Sequence, residues 1–195
     1  MSKLLISLMA AAGIAFAGGA VAANDHAGMS RDAYKADKDK IEAQYKSEKD
    51  ACKSQSGNAK DVCEAQAKGK EKVAKADLEA RYKNTDKARY DAKVARADAD
   101  YDVAKEKCDD LKGNDKDVCV KEAKATHTKS KADAKVARAQ REDTVKTSNK
   151  VTEAKRDAAE DKRDADYKVA KEKCDAMSGD AKDKCVSQAK MKYAQ

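Results

Sequence analysis

The chain has 195 residues, 41% of them charged, with no proline or tryptophan, one phenylalanine and a formal net charge of +7. Most of its apolar residues are alanine, so the large side chains needed to fill a thick globular core are missing. Its 43 basic and 36 acidic residues nearly balance, which makes nucleic acid an unexpected partner.

Residues 1–23 read as a cleaved signal peptide. Lys3 supplies the positive start, residues 4–17 are apolar, and Ala20-Val21-Ala22 is a small-residue processing site. The apolar run is short for a membrane span, and no later stretch replaces it, so no transmembrane span is expected after processing. The expected location is periplasmic. Removing Lys3 and no acid leaves a mature charge of +6.

Residues 24–29 form a flexible mature N-terminus. If cleavage falls after Ala23, Asn24, Asp25 and His26 offer an amine, two backbone amides and an imidazole. That is a square-planar nitrogen set suited to copper(II) or nickel(II). Cleavage after Ala22, the better match to the Ala-x-Ala pattern, moves the histidine to the fourth position and removes the site. No other cofactor is expected.

Three repeats follow, spanning 30–84, 85–147 and 148–195. Each has a tyrosine (Tyr45, Tyr101, Tyr167) seven residues before the first cysteine of a pair with ten residues between. The pairs are Cys52 and Cys63, Cys108 and Cys119, Cys174 and Cys185. Five residues after each first cysteine stands Gly57, Gly113 or Gly179, followed by Asn58, Asn114 or Asp180. Glycine followed by Asn or Asp reads as a left-handed helix stop and then an N-cap. Asp61, Asp117 and Asp183 are expected to face the positive end of the following helix dipole. Each cysteine pair straddles its turn, so an antiparallel hairpin brings the two thiols together, and an exported chain oxidises them. Zinc would want two cysteines a few residues apart with histidine, and only His26 and His127 exist.

In the first repeat, Ser30 reads as an N-cap of a helix running to about Ser56, with Tyr34, Ile41, Tyr45 and Cys52 on one flank. After Gly57 the helix resumes with Val62, Val73 and Leu78, and Asn84 or Thr85 offers a break. Val94, Ala97, Tyr101, Ala104, Cys108 and Leu111 then alternate in steps of three and four, as in the seam of a coiled coil. Thr147-Ser148-Asn149 is a second candidate break. First cysteines are 56 and then 66 residues apart; the extra ten break the heptad count and call for a stammer, a loop or overwinding. The expected fold is all-α: elongated, coiled-coil-like antiparallel hairpins with three disulfide-pinned turns. Glu71 with Lys75 and Asp77 with Arg81 are spaced for i,i+4 ion pairs.

No phosphate loop, His-x-x-x-His pair or nucleophile signature occurs, and an enzyme is not expected. Leader, KEKC-type hairpins and Ala/Lys/Asp-rich spacers together resemble a group of uncharacterised exported proteobacterial proteins labelled cell-envelope-biogenesis or TolA-like. The resemblance implies a non-catalytic periplasmic scaffold that contacts envelope components, such as anionic lipopolysaccharide or peptidoglycan-associated material. It carries over no functional residues. The alternative expectation is a stress-type protein that holds unfolded clients or metal ions.

Overall fold

The computed structural model describes residues 28–141 and 147–195. The leader and the Asn24-Asp25-His26 motif lie outside the described residues. Six helices follow one another: α1 (Arg31–Ala51), α2 (Gly57–Lys83), α3 (Asp86–Cys108), α4 (Gly113–Arg141), α5 (Thr147–Cys174) and α6 (Gly179–Tyr193). The fold is all-α, as expected, and is built of antiparallel hairpins.

Local chemistry sets the helix ends. Ser30 caps α1, its Oγ accepting from the Ala33 amide at 3.1 Å, with Asp32 in the first turn. Asn84 takes a left-handed conformation (φ 48°) to end α2, and the Thr85 hydroxyl accepts from the Ala88 amide to start α3. The long stretch 58–112 is therefore broken at these two residues. Helix α5 begins at Thr147, so the candidate break at 147–149 is its first turn.

The extra ten residues between the second and third hairpins are shared between longer helices and a longer connection. Helix α4 is two residues longer than α2, and α5 is five longer than α3. The other three lie in the connection, which is five residues long (142–146) against two (84–85).

Two turn expectations need correction. Helix α1 stops at Ala51 and passes into a 3-10 turn over Cys52–Ser54, short of Ser56. The three glycines are left-handed as expected (φ 56°, 54° and 54°), but each is the first residue of the new helix. The preceding helix is closed instead by tight amide bonds, Gln55 to Cys52, Leu111 to Cys108 and Met177 to Cys174, each 3.0 Å. Asn58 and Asp180 are consequently inside their helices, whose N-caps are Ser56 and Ser178. Asn114 likewise follows the first residue of α4, and the Asn58 Nδ2 is buried without a hydrogen-bond partner. Asp61, Asp117 and Asp183 fall in the second turn, past the strongest part of the dipole.

Among the described residues, each helix packs only on its neighbours in sequence. Six helices in this arrangement make one folded layer with two open faces. The interfaces are thin: among the described residues, every fully buried apolar side chain apart from Leu78, Cys52, Cys108 and Cys174 is an alanine. Helix α3, with neighbours on both sides, buries Ala88, Ala92, Ala95, Ala97 and Ala99. The expected seam thus holds at Ala97 and Cys108, while Leu111 is 41% exposed because the helix ends before it. Ala88, Ala92, Ala95 and Ala99 form a second stripe in steps of four, three and four.

Small residues allow close approach, and the closest is at Gly69 in α2. A Cβ built there would meet the Ala99 Cβ at 3.1 Å. We expect Gly69→Leu to destabilise the fold by about 1–3 kcal/mol through overpacking, read from the midpoint of urea unfolding. An unchanged midpoint would mean that α2 and α3 are not in contact at this level.

Candidate functional site

The disulfides Cys52–Cys63, Cys108–Cys119 and Cys174–Cys185 close the three hairpins, with Cα separations of 5.6, 5.7 and 5.7 Å. Because helix direction alternates through the layer, all three crosslinked turns lie along one edge. The first cysteine of each pair is wholly buried. In the second and third turns a lysine reaches back across the hairpin, Lys116 to Asp109 at 2.9 Å and Lys182 to Asp175 at 2.8 Å. The Lys182 hydrogen bond holds the Asp175 carboxyl below its ordinary value against a smaller upward push from burial. The first turn lacks this clasp: Lys53 occupies the place of Asp109 and pairs with Asp50 at 2.8 Å, leaving Lys60 4.0 Å from Glu64. The tips of the second and third turns expose Leu111 and Met177, three residues beyond their cysteines, where the first turn has Gln55.

Polar ties cross the middle of the layer. Asp98 of α3 accepts from Lys72 of α2 at 3.0 Å and bonds the His127 Nε2 of α4 at 2.7 Å. The His127 ring also stacks on Tyr101, with centroids 5.0 Å apart. Burial pushes the Asp98 carboxyl up, but the bonds to His127 and Lys72 outweigh it and hold the group below its ordinary 3.8. Between α4 and α5 run Lys121–Glu172 at 3.2 Å, Lys173–Glu122 at 2.6 Å, and the pairs Lys129–Asp166 and Lys162–Asp133. At the α1 end, the Tyr34 hydroxyl donates to Glu79 at 2.8 Å and its ring lies 4.5 Å from that of Tyr82. The Glu71–Lys75 pair forms at 2.7 Å. Asp77 does not pair with Arg81: it turns to Arg96 on α3 at 3.0 Å, and Arg81 turns to Asp37 on α1 at 3.9 Å. A carboxylate between two helices gains more from a partner that also bridges the interface.

One face of the layer carries a trough. Its floor is α3 and its walls are α2 and α4, enclosing about 270 Å³ around Tyr90. Five cationic side chains line it (Arg89, Lys93, Arg96, Arg138 and Arg141) against two carboxylates, Asp77 and Asp86. The Arg138 guanidinium lies over the Tyr90 ring, 5.5 Å from its centre. This convergence was not legible from sequence order, because it joins residues from three helices more than sixty positions apart. Among the described residues no group of His, Cys, Asp and Glu is placed to hold a metal ion, and no helix is long and apolar enough to cross a membrane. Comparison with protein families, with curated proteins and with solved structures finds no match.

Two predictions follow from these ties. Replacing Cys108 and Cys119 together with alanine is expected to cost about 3 kcal/mol, the chain-entropy value for so short a loop, measured by urea unfolding. A loss near zero would show that the turn is held without its crosslink. The second concerns acid. Because the folded pKa of Asp98 is depressed, its contribution is fully present above its unfolded pKa and is lost as pH falls through the lower folded value. The stability gap between the protein and Asp98→Asn should therefore shrink as pH falls below about 4. A gap that does not change with pH down to about 2 would contradict the pairing.

Proposed function

We propose that this protein is a non-catalytic helical scaffold of the bacterial cell envelope, working in the periplasm after its leader is removed. The observation that carries this reading is the edge of three crosslinked turns on a single helical layer. Two interaxial distances of 8–10 Å separate successive turns, so the edge presents contacts at intervals of about 16–20 Å. A buried sulfur holds each turn in place, and clasped lysines brace the second and third. Three disulfides also fit an oxidising compartment, where such crosslinks persist. The resemblance to TolA-like envelope proteins points the same way.

A positive excess spread over an extended layer favours weak, multivalent contact with anionic envelope material. The protein is expected to co-sediment with lipopolysaccharide or peptidoglycan-associated fractions at low ionic strength. A few hundred millimolar salt should release it, since about 0.3 M shortens the screening length well below 10 Å. Salt-independent retention, or no retention at any salt, would overturn this reading. Suppression of client aggregation at sub-stoichiometric amounts would favour a holding chaperone instead. That activity would have to use the exposed Tyr82, Leu111, Met177 and Met191.

A further inference from the structure

The basic trough does not end at Arg96. On the same face it runs into a second furrow between α2 and α3, of about 750 Å³, which shares Asp77 and Arg96 with it. The second furrow has an apolar floor of Gly69, Val73, Ala74, Ala99, Val103 and Ala104, with the exposed Gln66, Lys70, Asp100 and Lys107 along its rims. Gly69 has no side chain to fill the space, and its close approach to Ala99 fixes the spacing of the two walls. From Val103 to Arg89 along α3 is about 21 Å at the helical rise of 1.5 Å per residue.

One end of this continuous groove has an excess of cations and the other has an apolar floor between polar rims. At the cationic end Asp86 is paired with Arg89 at 2.9 Å and Asp77 with Arg96 at 3.0 Å. Lys93 and Arg141 have no ion pair among the described residues, which leaves two positive charges in the trough lining. Guanidinium forks suit the oxygens of a phosphate monoester, whose charge of nearly −2 matches an excess of this size. The apolar end suits a hydrocarbon chain.

We propose that this groove binds a single-chain anionic amphiphile, a phosphate-bearing lipid. Its headgroup lies among Arg89, Lys93, Arg96 and Arg141, and its chain lies along Val73 and Val103. Charge complementarity at one end and apolar lining at the other select this occupant over a free phosphate or a neutral chain. The proposal gives the envelope contact a specific site and rests on that reading only for where the ligand is met. A test with purified protein therefore separates the two.

The test is calorimetric titration of the full oxidised chain with dodecyl phosphate, kept below micelle formation, at low salt. Inorganic phosphate and dodecyl maltoside serve as head-only and chain-only probes. We expect one dodecyl phosphate per chain, with both partial probes at least tenfold weaker. Lys93→Gln combined with Arg141→Gln, both exposed positions, should weaken binding by about tenfold, as for two partly exposed ion pairs. Val103→Asp should weaken it through the chain, with circular dichroism confirming that the helices remain. Equal binding of either partial probe, several molecules per chain, or unchanged affinity in both variants would overturn the proposal. Envelope retention that persists without dodecyl phosphate binding would leave the scaffold reading standing and remove this site.

Discussion

Everything in this structure depends on how little each helix interface buries. An alanine contributes one methyl group, worth about 0.8 kcal/mol when removed from water, and among the described residues the fully buried apolar side chains of these interfaces are mostly alanine. Such contacts permit close approach but do little to fix register or to hold a helix in place. The layer therefore uses other means at every joint. Disulfides pin the three hairpins internally, the Asp98–His127 bond adds a tie within the second, and ion pairs such as Lys72–Asp98 and Lys121–Glu172 join each hairpin to the next. Leu78 is the exception, the one large aliphatic side chain fully buried among the described residues.

The same thinness accounts for the openness of the molecule. A helix with large apolar residues on two stripes could be covered on more than two sides and would draw the others into a bundle. Here α3 has two narrow alanine stripes and nothing apolar enough to attract a third neighbour, so it sits between α2 and α4 only. The faces left over are mostly charged, apart from the furrow along Val73 and Val103. Where α2, α3 and α4 meet, basic side chains of α3 and α4 converge around Tyr90. The trough is thus a by-product of a layer that cannot close on itself.

Much of this was legible from residue order. Cysteine spacing about a central glycine gave the crosslinked hairpins, and Asn84-Thr85 gave the break between the first two. Those signals are local, set by the conformations that Gly, Asn and Thr favour at helix ends. The signals that failed are those that need a partner across space. Alanine is so common along the chain that the second stripe, Ala88, Ala92, Ala95 and Ala99, has no contrast against its surroundings. Asp77 was read with Arg81 one turn away, yet its partner Arg96 lies on another helix. His127 was weighed only as a possible metal ligand, since nothing in sequence joins it to Asp98, 29 residues earlier. The turn glycines were recognised, but the i→i−3 tightening after each first cysteine has no residue signature of its own.

The central claim is that this chain folds as a single helical layer, and small-angle X-ray scattering of the oxidised monomer tests it most directly. The thickness analysis of a sheet-like particle should return about 10–12 Å, the diameter of one helix with its side chains. A minimum dimension near 20 Å, as for two packed layers at 8–10 Å between axes, would contradict the account.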